Sequence, residues 1–259
     1  MVSPPPPAAV IRAATDPAQD RIAVLDIARG VALLAMASFH FTFDLELYGV
    51  VPVGTTTTGF FWVYARAIAA SFLFLSGVSL WLGHGQGIRW PAFGRRLAMI
   101  LGGAGLVSAA TYAADPSTFV FFGILHSIAA ASVAGLLFLR LPVLVTLAAA
   151  VLALVAPHLL RTGAFDAPWL AWLGLTTYGI RSVDFEPFLP WIAPFLAGIA
   201  GAKAAAREGI LAALGRHRPS GPPARALGWA GRHSLAVYLV HQPVLIALLW
   251  AFTRIAGPA

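Results

Sequence analysis

Residues 25–36 read Leu25-Asp26-Ile27-Ala28-Arg29-Gly30-Val31-Ala32-Leu33-Leu34-Ala35-Met36, and His40 and Asp44 follow in the same apolar run. The run is long enough to cross a bilayer, since a helix needs about 20 mostly apolar residues to span the hydrocarbon layer. It also carries four ionisable groups, which lipid does not tolerate without a reason. An apolar helix with an inward polar stripe, inside a bundle of similar helices, satisfies both demands.

The rest of the chain repeats the apolar theme. Of its 259 residues 59% are hydrophobic and 10% charged, and the mean hydropathy is +0.81. Soluble domains carry roughly 25% charged residues, so too few charges are present to cover a soluble surface. The sequence predicts an all-α, polytopic bundle of about seven spans, at 24–47, 60–82, 96–114, 119–139, 142–160, 188–206 and 233–256. The apolar stretch 169–175 is too short to span and reads as interfacial or re-entrant. Residues 1–20, with prolines 4–7 and no amphipathic pattern, read as a disordered cytosolic tail. They lack the layout of a cleaved signal. Residues 21–259 form one transmembrane domain.

Charge orders the loops. One set holds Arg89, Arg95, Arg96, Arg140, Lys203, Arg207, Arg216, Arg218, Arg225 and Arg232. The other holds Asp44, Glu46, Asp115, Asp166, Asp184 and Glu186, with Arg161 and Arg181. Basic loops face the cytosol, so the N-terminus is expected inside. The net charge of +7 therefore reports orientation rather than nucleic-acid binding. The proline- and glycine-rich segment 216–225 reads as a cytosolic loop. Gly102, Gly103, Gly198 and Gly201 read as sites of close helix approach.

Arg29 and His40 are eleven residues apart. At about 100° per residue they share one helix face, roughly 16 Å apart along the axis. Asp44 continues that stripe at i+4, and Asp26 precedes Arg29 at i−3. Neutral His40 can take a proton from an amine or hydroxyl, with Asp44 holding the imidazole. Arg29 can pair with Asp26 or contact a phosphate. Each residue also has a bland reading, as an interfacial anchor or a hydrogen-bonded core histidine.

Arg66 needs a partner, with Asp44 and Glu46 the nearest in sequence, and is either a structural ion pair or part of a site. His126 lies mid-span and either lines a cavity or bonds a neighbouring helix. Asp184 and Glu186 stand at the mouth of the sixth helix, as acceptor ligands or as solvated loop charges. Ser234, Tyr238 and His241 form a polar stripe on the last helix.

The chain contains no cysteine, which excludes disulfides, a cysteine nucleophile and a thiolate metal site. No glycine-rich phosphate loop follows a strand, and neither His-Glu-x-x-His nor Gly-x-Ser-x-Gly occurs. Three function classes remain: an enzyme, a proton-coupled transporter or channel that uses the buried charges as a pathway, or a purely structural membrane protein that binds neither substrate nor solute.

The opening segment with Arg29 and His40 resembles the bacterial relatives of heparan-alpha-glucosaminide N-acetyltransferase, within the wider transmembrane acyltransferase superfamily. Further matching stretches are Phe72-Leu73-Phe74-Leu75-Ser76-Gly77, Gly123-Ile124-Leu125-His126, Asp184-Phe185-Glu186-Pro187-Phe188-Leu189-Pro190-Trp191 and Ser234-Leu235-Ala236-Val237-Tyr238-Leu239-Val240-His241-Gln242-Pro243. The resemblance implies a multi-pass protein of a bacterial inner (cytoplasmic) membrane that takes an acyl group, often acetyl, from cytosolic acyl-CoA. It passes the group to a sugar amine or hydroxyl on the far side, without a metal. The expected catalytic residues are His40 and Asp44. Arg29, Arg95 and Arg96 are expected to bind the acetyl-CoA donor, and Arg66, His126, Asp184 and His241 the acceptor. The expected partners are the bilayer and a carbohydrate or glycan acceptor, with no nucleic acid. A second copy of the chain is left open as a partner.

Overall fold

The structure is a computed structural model that describes residues 22–256. The expected N-terminal tail therefore lies outside the described residues. The regular elements described are helical, apart from one isolated parallel bridge between Phe122 and Phe185.

Nine α-helices follow in order: α1 Ala23–Leu47, α2 Gly59–His84, α3 Trp90–Ala114, α4 Ile124–Gly135, α5 Val143–Leu160, α6 Phe188–Arg207, α7 Ile210–Arg216, α8 Pro222–Arg232 and α9 Ser234–Ala256. Six of them are long and apolar enough to cross a membrane: α1, α2, α3, α5, α6 and α9. Leucines, valines and aromatics stand exposed along their flanks, among them Leu34, Val63, Leu106, Leu152 and Leu248. Water would not tolerate so much bare apolar surface; lipid covers it.

The expected span 119–139 is shorter than the sequence suggests. Residues 119–123 are not helical; α4 starts at Ile124 and continues as a 3-10 turn, Leu136–Phe138. At 1.5 Å per residue this apolar helix is about 22 Å long. The segment before it pairs with the loop preceding α6 instead. The Val183 and Glu186 amides donate to the carbonyls of Thr118 and Phe122, and the Ser182 hydroxyl to that of Phe119. Within 161–187 lie two 3-10 turns, Gly163–Phe165 and Pro168–Leu173, and no spanning helix.

The core lies where α2, α4, α5 and α6 meet, around Leu73, Leu80, Phe195, Leu196 and Ile199. Two glycines let α2 and α6 touch backbone to backbone. A Cβ on Gly77 would strike the Phe195 carbonyl, and one on Gly198 the Phe74 carbonyl. In lipid, such close packing replaces the hydrophobic drive that holds soluble helices together. Of the glycines singled out from sequence, Gly103 meets leucine side chains, whereas Gly102 has nothing within 4 Å and Gly201 only ordinary contact with Phe74.

The expected loop 216–225 is corrected to the end of α7, a short link and the start of α8. Ala224, Leu227, Gly228 and Gly231 make one face of α8 at helical spacing, and this face is its less exposed side. It lies across the start of α1, where Gly231 meets the Asp26 backbone and Gly30 meets that of Leu227. This crossing brings Arg232 and the start of α9 beside Asp26 and Arg29.

Candidate active site

A cavity of about 770 Å³ opens where α1, α2, α3 and α9 meet. Four arginines line it, Arg29, Arg89, Arg96 and Arg232, against one carboxylate, Asp26. Arg29 is held in place on both sides. It donates to Asp26 Oδ1 at 2.5 Å and to Ser79 Oγ at 2.6 Å, and the serine hydroxyl in turn donates to the Leu75 carbonyl. Arg89 is braced through Nε on the Gly83 carbonyl at 3.0 Å. From this basic mouth the wall continues inward along Phe72, Ser76, Leu125 and Ile128 to Tyr238. The size suits a cofactor-sized ligand, and the planar forks of the arginines suit phosphate. Arg95, expected here, is exposed and does not line the cavity. Arg89 and Arg232 take its place.

One turn along α9 from Tyr238 lies a second cluster. The rings of His40 and His241 meet edge to face with centroids 4.9 Å apart. His241 Nδ1 is 2.5 Å from the Tyr238 carbonyl. A carbonyl only accepts, so Nδ1 carries the proton, and in the neutral ring Nε2 is a lone-pair acceptor. That Nε2 is buried with no partner among the described residues.

Asp44 does not hold His40. The carboxylate is fully buried and accepts from Gln242 Nε2 at 2.7 Å. The expected third member of a triad is thus an Asp44–Gln242 pair that ties α1 to α9. Asp44 Oδ2 and Gln242 Oε1 are also buried without a partner among the described residues. All three of these atoms can accept a hydrogen bond.

Asp184 and His126, also expected at the acceptor, each have a partner within the chain. Asp184 Oδ2 accepts the Ile124 amide at 3.1 Å and so caps the start of α4 from 60 residues away. Burial raises its pKa to about 6, against the opposing pull of that N–H. Glu186 goes further, to about 9, because of burial and then the neighbouring Asp184 charge, with Arg66 opposing. At neutral pH Glu186 is a neutral acid, and its Oε2 has no partner among the described residues. His126 Nδ1 turns back to the Gly123 amide at 3.3 Å, and its ring lies against Phe122.

Arg66 pairs with neither expected partner. It is exposed, stacks over Trp62 at 3.6 Å and donates to that residue's carbonyl. Asp44 is taken by Gln242, and Glu46 by the Gly54 amide and the Thr56 amide and hydroxyl. Besides Arg89 and Arg232, sequence reading missed Gln242. It follows His241 in the matching stretch, but only the fold shows that it reaches Asp44.

Six helices long and apolar enough to span, four of which line the cavity, define a multi-pass membrane protein. The chain belongs to the family of the heparan-alpha-glucosaminide N-acetyltransferase catalytic domain, whose model matches residues 21–243. No curated protein and no solved structure matches it. Membership makes the chain a membrane transferase of the acetyltransferase type, and it lends no support to the transporter reading.

Proposed function

We propose that this protein moves an acetyl group from acetyl-CoA, bound at the arginine-lined mouth, to an amine or hydroxyl of a carbohydrate acceptor reaching the bundle from the opposite side. The observation that carries this reading is the cavity itself. It is lined by four arginines and reaches Tyr238, one helical turn from His241 of the His40–His241 pair. In this reading the basic end faces the cytosol of a bacterial inner membrane.

Arg29, Arg89, Arg96 and Arg232 hold the donor's phosphates by charge-assisted hydrogen bonds. Ser79 and Asp26 fix the Arg29 fork before the donor arrives. The pantetheine arm lies along Phe72, Ser76 and Leu125 toward Tyr238. His40 takes the proton of the acceptor N–H or O–H as a C–N or C–O bond forms and the C–S bond breaks. The thiolate of coenzyme A leaves and takes up a proton. His241 stands beside it with a defined free lone pair on Nε2, which makes it the second candidate base. Asp44 and Gln242 present acceptors to the incoming donor-rich group.

The test is transfer of labelled acetyl from acetyl-CoA to amino sugars and neutral sugars in membranes holding the wild type, His40→Ala or His241→Ala. Loss of transfer in folded His40→Ala supports the reading. Near wild-type transfer in that variant overturns it.

A further inference from the structure

A second, smaller cavity of about 350 Å³ opens at the same basic end, between the last turns of α2 and α6 and the segment 139–142. Lys203, Arg140 and Arg207 line it, together with Gln86 and Trp81, and no carboxylate does among the described residues. Lys203 is the informative member, because it is buried. Its Nζ donates to the Phe138 carbonyl at 2.5 Å, the Leu141 carbonyl at 2.7 Å and Thr146 Oγ1 at 3.1 Å. The Thr146 hydroxyl spends its own proton on the Pro142 carbonyl, so its oxygen can only accept. Three acceptors therefore take three N–H donors, which only an ammonium supplies. Every partner of this buried cation is neutral. Helix C-termini offer it partial negative charge, but no full counter-charge.

The rim is apolar where the chain turns from the 3-10 segment Leu136–Phe138 into α5. Leu137, Leu141 and Leu144 are exposed there, in the surface that lipid covers. A ligand for this notch has to bring negative charge to the floor and hydrocarbon to the rim. We propose that it holds the headgroup phosphate of an anionic phospholipid, with the acyl chains lying along Leu137 and Leu144. Basic pockets between transmembrane helices on the cytosolic side bind such headgroups.

The test uses the full-length protein in detergent, with lipid retention followed by native mass spectrometry. Phosphatidylglycerol and phosphatidylcholine of the same chains are offered to the wild type and to the Arg140→Gln, Arg207→Gln double variant. Lys203 is left intact, because its ammonium ties the end of α4 to α5 and α6. The expected result is a clear preference for phosphatidylglycerol, weakened roughly tenfold or more in the double variant. Acetyl-CoA binding should be unchanged, since neither arginine lines the larger cavity. Equal retention of the two lipids, or of phosphatidylglycerol by the two proteins, overturns the proposal. So does displacement of the lipid by inorganic phosphate or coenzyme A at equal concentration, which would make the notch a simple anion site or part of the donor site.

Discussion

The two ends of the bundle use their charges in opposite ways. At one end the acidic residues are consumed in building loops. Glu46 gathers the turn at 54–56, Asp115 holds Ser117 and Thr118, Asp166 holds Thr177, and Asp184 caps α4. The serine and threonine donors hold the Asp115 and Asp166 carboxyls below the usual carboxylate range. At the other end the arginines face cavities, with Asp26 as the one carboxylate set against them. A charge already used by its own loop has little left for a ligand, whereas a cation facing a cavity waits for one. In the function proposed above, this difference sends the anionic donor to the basic end. In the same proposed reading, the unpartnered acceptors of His241, Asp44 and Gln242 meet the second substrate.

The largest effect expected is on chemistry between the two ends. Removing His40 should cost about 10²- to 10⁴-fold in kcat, the range for a general base, measured with saturating acetyl-CoA. An equal loss in His241→Ala would make the pair a unit, whereas a small loss would leave His40 as the base alone.

Next comes the basic mouth. Arg96→Ala should raise the KM for acetyl-CoA by roughly tenfold to a hundredfold, as expected for a lost charged hydrogen bond. The acceptor KM should hardly move. A change confined to the acceptor would reverse the assignment of the two ends.

A packing prediction separates scaffold from site. Gly198→Ala places a methyl group against the Phe74 carbonyl and should destabilise the protein by about 1–3 kcal/mol. Gly102→Ala, in open space, should be neutral by the same thermal unfolding assay in detergent.

The smallest effect concerns the loop carboxyls. Asp184 and Glu186 titrate at about 6 and about 9 in the folded protein, above their ordinary 3.8 and 4.5. The folded state therefore binds more protons than the unfolded state through this window. Stability from these groups is full below about pH 4 and is lost as pH rises toward 9. Glu186→Gln should flatten the fall in Tm between pH 6 and 9. An unchanged slope would show that Glu186 is ionised and solvated.

Much of this arrangement was legible in the sequence because apolar length alone decides where a helix can cross. The expected ranges for the long spans fall on α1, α2, α3, α5, α6 and α9, with the largest shift at the start of α3. The stripe of Arg29 and His40 was readable from helical period. What local pattern could not show was contact across the chain. Asp184 caps a helix 60 residues upstream, and Gln242 lies 198 residues from the carboxylate it bonds. Helix α8 was hidden by its prolines and glycines, which read as loop signals. Here a proline pair opens a helix, and Gly231 on α8 and Gly30 on α1 let the two lie backbone to backbone. Arg232 enters the cavity only through that crossing.

The separation of donor binding from proton transfer is tested most directly by measuring acetyl-CoA affinity in two variants side by side. The Arg29→Ala, Arg96→Ala double variant should lose binding, while His40→Ala should bind as the wild type does and transfer nothing. Donor affinity retained without the two arginines, or lost with the histidine alone, would contradict the account.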